Sequence, residues 1–135
     1  MIAKGKTAVV AGTVALILCV LAVFSWFGGQ VRTIAGDYRL EQWEDFQTYY
    51  LHKRGQDDSS GGGSIIGGTV LRLGWNNRYI VAKRRSFYSV DPSGWMIIDV
   101  KSGIISGPFT EAEFHTNSEA QGIHIYEVGE AWKRL

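Results

Sequence analysis

The sequence predicts an α+β or mainly β protein: one amino-terminal transmembrane helix, then a small, mostly antiparallel β-sheet domain with one short helix. Three observations predict it. The run from Thr7 to Phe27 carries no charge and is long enough, at about 1.5 Å per residue, to cross a hydrocarbon core of about 30 Å. Beyond it, short segments rich in β-branched and aromatic residues recur between Gly, Asn and Asp turn signals, the pattern of antiparallel strands. Thr110 followed by Glu113 forms a capping box, the mark of a helix start.

These signals divide the chain into a short basic tail (1–6), the transmembrane helix (7–27), a linker (28–36) and a β-rich domain (37–135). The bulky exit Ser25-Trp26-Phe27 does not suit a signal-peptidase site, so the run is retained as an anchor. Leu18 stands directly before Cys19, where a lipoprotein would need a small residue. Lys4 and Lys6 against Arg32 and Arg39 orient the helix in a bacterial inner membrane, amino terminus cytoplasmic and domain extracytoplasmic. Ala8, Ala11, Gly12, Ala15, Cys19 and Ala22 recur at helical steps. That stripe either lets a second copy pack as a homodimer through the membrane helix or simply faces lipid.

From Gly36 onward, eleven basic residues stand against thirteen acidic ones, a net of −2. A slightly acidic domain argues against general nucleic-acid binding. Cys19 is the sole cysteine, so the domain has no disulfide and no cysteine-based metal or redox motif.

In chain order, Tyr38–Glu41 reads as a first strand and Phe46–Lys53 as a second. A competing helix over Asp37–Lys53 would put Leu40, Trp43, Phe46 and Tyr50 near one face. Residues 54–64 (RGQDDSSGGGS) read as a flexible loop, lacking the Gly-Lys-Ser/Thr that would make a phosphate loop. Leu71, Leu73 and Trp75 alternate with Val70, Arg72 and Gly74 as in a strand with one buried face. Asn76-Asn77 turns it, through asparagine's tolerance of positive φ, into the partner Arg78–Arg84. Trp95–Val100, apolar on both faces, reads as a central strand. Lys101-Ser102-Gly103 turns it into Ile104-Ile105-Ser106, which Gly107-Pro108 stops. A helix then runs from Thr110 to about Ser118, stapled to the sheet by Phe109 and Phe114. A last strand, Ile123–Glu127, precedes a polar end anchored by Trp132.

Residues able to carry chemistry are few. Glu111 and His115 have the i, i+4 spacing of a metal pair, and His124 could approach them, but a third ligand at recognised spacing is missing. These histidines and His52 read as solvated surface groups, with no metal and no cofactor. Asp91 and Asp99 could pair as acid and base, yet an aspartate before a hairpin turn commonly bonds turn amides. Ser86, Ser89 and Ser93 lack a nucleophile context. No catalytic residue is assigned. The one basic cluster is Lys83, Arg84 and Arg85 followed by Phe87 and Tyr88, with Arg78 beside it across the turn. It is the candidate binding site, against the readings of edge-strand protection or contact with lipid headgroups.

The order Gly36-Asp37-Tyr38, then WNNRYIVAK (Trp75–Lys83), WMIIDVK (Trp95–Lys101) and GPFTEAEF (Gly107–Phe114), resembles a family of small uncharacterised bacterial envelope proteins, many of them lipoproteins. The resemblance implies an extracytoplasmic β-rich domain and no catalytic residue. The expected function is a membrane-anchored binding module acting on another envelope protein, in an inhibitory, immunity or exclusion-type role. Two alternatives stand beside it: a small envelope hydrolase, and a cytoplasmic-facing nucleotide or nucleic-acid binder using residues 83–88.

Overall fold

Residues 38–42 alternate Tyr, Arg, Leu, Glu, Gln, and a strand sends such an alternation to opposite faces. A computed structural model, which describes residues 12–20, 30–56, 64–88, 90 and 92–135, bears this out. Strands β1 (Gln30–Ala35), β2 (Tyr38–Gln42) and β3 (Tyr49–Lys53) form a three-stranded antiparallel sheet in sequence order. Tyr38, Leu40 and Gln42 are buried, while Arg39 and Glu41 lie on the other face. Residues 30–35, expected as linker, pair with β2 instead. The segment expected as a strand from Phe46 becomes one only at Tyr49, and no helix forms there.

Five further strands make the second sheet: β4 (Gly68–Trp75), β5 (Tyr79–Ser86), β6 (Gly94–Asp99), β7 (Ile105–Phe109) and β8 (Ile125–Glu127), in the order β7-β6-β5-β4-β8. The β4–β5 hairpin forms as expected, with two differences. Val70 pairs with Arg84 and Arg72 with Lys83, so Leu71 is the extra residue of a bulge. The bulge puts Val70 and Leu73 on the same buried side, which strict alternation does not allow. The turn takes its shape from the Asn76 carboxamide, which accepts from the amides of Arg78 and Tyr79 at 2.9 and 2.7 Å. Neither asparagine has positive φ.

Strand β6 is buried from Gly94 to Ile98, as expected of an interior strand. Strand β7 runs on through Pro108 because it lies at the sheet's edge, where one side of the backbone has no ladder to donate to. Gly74 lets β8 approach: a Cβ there would lie 2.5 Å from the His124 carbonyl oxygen.

The two sheets bury one core between them, joining Tyr38, Leu40 and Leu51 to Leu73, Ile80, Ala82, Met96 and Ile98. Each large apolar side chain removed from water there contributes about 1.5–3 kcal/mol. The other face of the five-stranded sheet is also covered. Helix α2 (Glu111–Thr116) carries the expected capping box in full, and Phe114 stacks on Trp95 with ring centroids 4.0 Å apart. The expected polar end is instead helix α3 (Val128–Arg134), whose Ala131 and Trp132 are buried. Trp132 does anchor it, beside Tyr49 and under the Arg32 guanidinium.

The membrane-spanning helix over 7–27 is overturned. Among the described residues no helix is long and apolar enough to cross a membrane. Residues 12–20 are helical, α1. The rest of that run, with the basic tail 1–6, lies outside the described residues. Single-pass insertion, a homodimer through the membrane helix, and an inner-membrane location with cytoplasmic amino terminus and extracytoplasmic domain all rested on that helix, and fall with it.

Candidate functional site

The six residues of the expected basic cluster do not come together. Successive residues of a strand point to opposite faces, and β5 separates its three cations in this way. Lys83 turns toward α2, bonding Glu111 at 2.5 Å and lying 5.9 Å from the Trp95 ring centroid. Arg84 points between the sheets, buried, and donates to the carbonyls of Ile66 and Pro92. Arg85 is exposed. Arg78 sits at the far end of β5, 3.4 Å from Asp99. Only Phe87 and Tyr88 remain as exposed apolar surface.

Phe87 instead joins residues from the other sheet. Tyr50 on β3 lies 6.0 Å from Phe87 and 5.8 Å, edge-on, from Trp43, centroid to centroid. Trp43 is 49 % and Phe87 44 % exposed. The row continues to His52, 6.5 Å from Tyr50. Beyond His52 is a cavity of about 220 Å³ lined by Val31, Arg39, Glu41, His52, Lys53, Arg54, Gly55 and Gln56.

Strand register builds this face. Arg39 pairs with His52 and Glu41 with Tyr50, and opposed residues share a face. His52 is ion-paired to Glu41. Tight bonding holds the β2–β3 loop that carries Trp43. The amide of Trp43 donates to Thr48 at 2.8 Å, while Asp45 accepts from the Thr48 hydroxyl and from the amides of Gln47 and Thr48. The Thr48 hydroxyl, then those amides, hold the Asp45 carboxyl below the ordinary aspartate value. The loop turns at Phe46, which has φ of 57° and is 64 % exposed.

Among the described residues, the groups weighed for catalysis do not converge. Asp99 accepts from the amides of Lys101 and Ser102 at 3.0 and 3.2 Å, the turn role expected of it. The Ser102 amide foremost holds its carboxyl below the ordinary value. His115 is on α2, 3.6 Å from Glu111, and His124 packs on Tyr126. Among the described residues no group of three His, Cys, Asp or Glu could hold a metal ion. Asp91 and Ser89 lie outside the described residues. A second cavity, about 440 Å³ and lined by Phe109, Glu113, Thr116, Asn117, Ser118 and Glu119, has two carboxylates and no cation.

Sequence reasoning missed the face formed by Trp43, Tyr50, Arg39, His52 and Arg54. The signal available was the polar half of each alternation, Arg39-x-Glu41-x-Trp43 and Tyr50-x-His52-x-Arg54. Joining the two needs the register of β2 on β3, which hydrophobic period alone does not supply.

Residues 35–126 match the model of a family described as "Protein of unknown function (DUF3997)". No curated protein and no solved structure matches the chain.

Proposed function

The chain belongs to the DUF3997 family, and we propose that it is a non-catalytic interaction module that docks a partner protein on the outward face of its three-stranded sheet. The row Trp43–Tyr50–Phe87 carries this reading, since its rings touch one another while two of them are about half exposed. Exposed aromatic rings held in place by neighbours are the usual anchors of protein interfaces, where a few such residues supply most of the binding energy. Phe46 adds support. A left-handed backbone costs a side-chain-bearing residue about 1–2 kcal/mol, yet this position carries an exposed ring where glycine would be easier.

The test is site-directed photocrosslinking in cells with a benzoylphenylalanine at position 43, 87 or 104. Positions 43 and 87 are expected to give the same discrete adduct, lost when Phe46 is also changed to alanine. Ile104, exposed in the β6–β7 turn, is expected to give none. Equal adducts from all three positions, or none from any, would overturn the reading.

A further inference from the structure

The cavity at the end of the aromatic row points to the chemistry of what docks there. Six of the twelve cations among the described residues have an oxygen partner. Arg72 bonds Glu127, Arg78 Asp99, Lys83 Glu111 and Arg134 Glu130. Arg32 and Arg84 bond backbone carbonyls. Among the described residues, no side-chain hydrogen bond or ion pair engages Arg39 or Arg54, and the Lys53 ammonium has only the Tyr38 ring, 5.5 Å away. All three line the one cavity. Among the described residues the one carboxylate lining it, Glu41, is paired with His52. Among the described residues, Arg39 and Arg54 thus stand without a carboxylate partner at a concave site that His52 links to the exposed rings.

We infer that this face binds an acidic peptide segment of its partner, with a carboxylate seated between Arg39 and Arg54 and a neighbouring aromatic side chain laid on Tyr50, Trp43 and Phe87. The inference rests on the proposed docking face and goes further by naming what docks. Two guanidinium groups can receive a carboxylate with charge-assisted hydrogen bonds. His52 joins the two parts, its ring beside Tyr50 and its edge in the cavity. A carboxylate can come from an acidic side chain or from a chain terminus. The spacing of the face accepts either.

The test is an NMR titration of the full chain, reading amide shifts of residues 39–56, with four probes. Acetyl-Glu-Trp-Glu-amide carries side-chain carboxylates, acetyl-Gln-Trp-Gln with a free carboxyl terminus carries only the terminal one, acetyl-Gln-Trp-Gln-amide carries none, and the fourth probe is inorganic phosphate. The neutral peptide should bind about tenfold more weakly than whichever acidic form is preferred, and added salt should narrow that gap. Arg39→Gln with Arg54→Gln should abolish the preference while leaving weak binding of the tryptophan. Trp43→Ala with Phe87→Ala should weaken all three peptides alike.

Equal affinity for charged and neutral peptides overturns the acidic-peptide inference and leaves the docking face standing, because the aromatic variants still report on it. Phosphate shifting the same amides as strongly as the peptides, with no gain from tryptophan, also overturns it and makes the cavity a bare anion site. If no probe moves these amides, the inference fails, and crosslinking at positions 43 and 87 judges the docking face independently.

Discussion

Two places in this domain set cations beside aromatic rings, and the chain covers only one of them. Over the five-stranded sheet, Lys83 lies beside Trp95, Phe114 stacks on that indole, and Glu111 of α2 neutralises the ammonium. Over the three-stranded sheet, Arg39 and Arg54 line a cavity with His52, whose ring lies beside Tyr50 and so joins the row of Trp43 and Phe87, and no described element closes above them. The ingredients are alike. The difference is that α2 brings its own carboxylate and its own ring to the first place, turning it into core. Basic residues next to aromatic ones therefore stay at the surface only where the fold supplies no cover.

The comparison can be broken most severely at its covered side. Trp95 is 2 % exposed, and Trp95→Ala is expected to destabilise by about 3–5 kcal/mol, read as a lower urea midpoint. Trp43→Ala, removing a ring of the same kind from the open face, should stay within about 1 kcal/mol. Comparable losses at the two positions would mean that the aromatic row is core after all.

A second contrast lies within β5. Arg84→Ala leaves the carbonyls of Ile66 and Pro92 without their donor, and hydrogen bonds from a charged group contribute about 1.5–3 kcal/mol each. A loss of about 2–4 kcal/mol is expected, against about 0.5 kcal/mol or less for exposed Arg85→Ala. Equal effects in thermal melts would refute the assignment of Arg84 to the interior.

At Phe46 the sign reverses. Glycine takes a φ of 57° without the penalty a side chain meets, and little packing is lost from so exposed a ring. Phe46→Gly is expected to raise stability by about 0.5–1 kcal/mol while reducing the crosslinked adduct at positions 43 and 87. A fall in stability would show that the ring supports the loop rather than a partner.

The smallest effect concerns pH. Lys83 above all holds the Glu111 carboxyl below its ordinary value of 4.5. A carboxyl with its folded-state pKa depressed stabilises the fold fully above its unfolded value, and that contribution is lost as pH falls through the folded one. Melting temperature should therefore drop on acidification below about pH 4.5, and less so in Glu111→Gln. Because Glu111 is half exposed, the change is modest. An identical acid limb in the variant would remove this pair from the account.

Part of this was legible in residues alone. Thr110 and Glu113 identified their cap because both partners lie within one turn. Asp99 identified its turn because the amides it bonds are two and three residues away. The apolar run Trp95–Ile98 identified an interior strand. The bulge at Leu71 escaped because an extra residue leaves no mark in a hydrophobic period. Strand β1 escaped because its pattern is short and half exposed. Helix α3 escaped because two buried residues in seven are too few to show a period. Lack of charge and sufficient length predicted a membrane helix over 7–27, but among the described residues no helix is long and apolar enough to cross a membrane.

The sequence by itself determined what is settled within a few residues: turns, a helix cap, strands with a buried face, and the absence of any cysteine chemistry from the domain. Tertiary structure decided which of its cations and rings meet. Of the consecutive Lys83, Arg84 and Arg85, alternation sends Arg84 into the core and the other two to the opposite face, where Glu111 of α2 bonds Lys83 and Arg85 stays exposed. Phe87 and Tyr50, far apart in the chain, meet because the two sheets pack around one core.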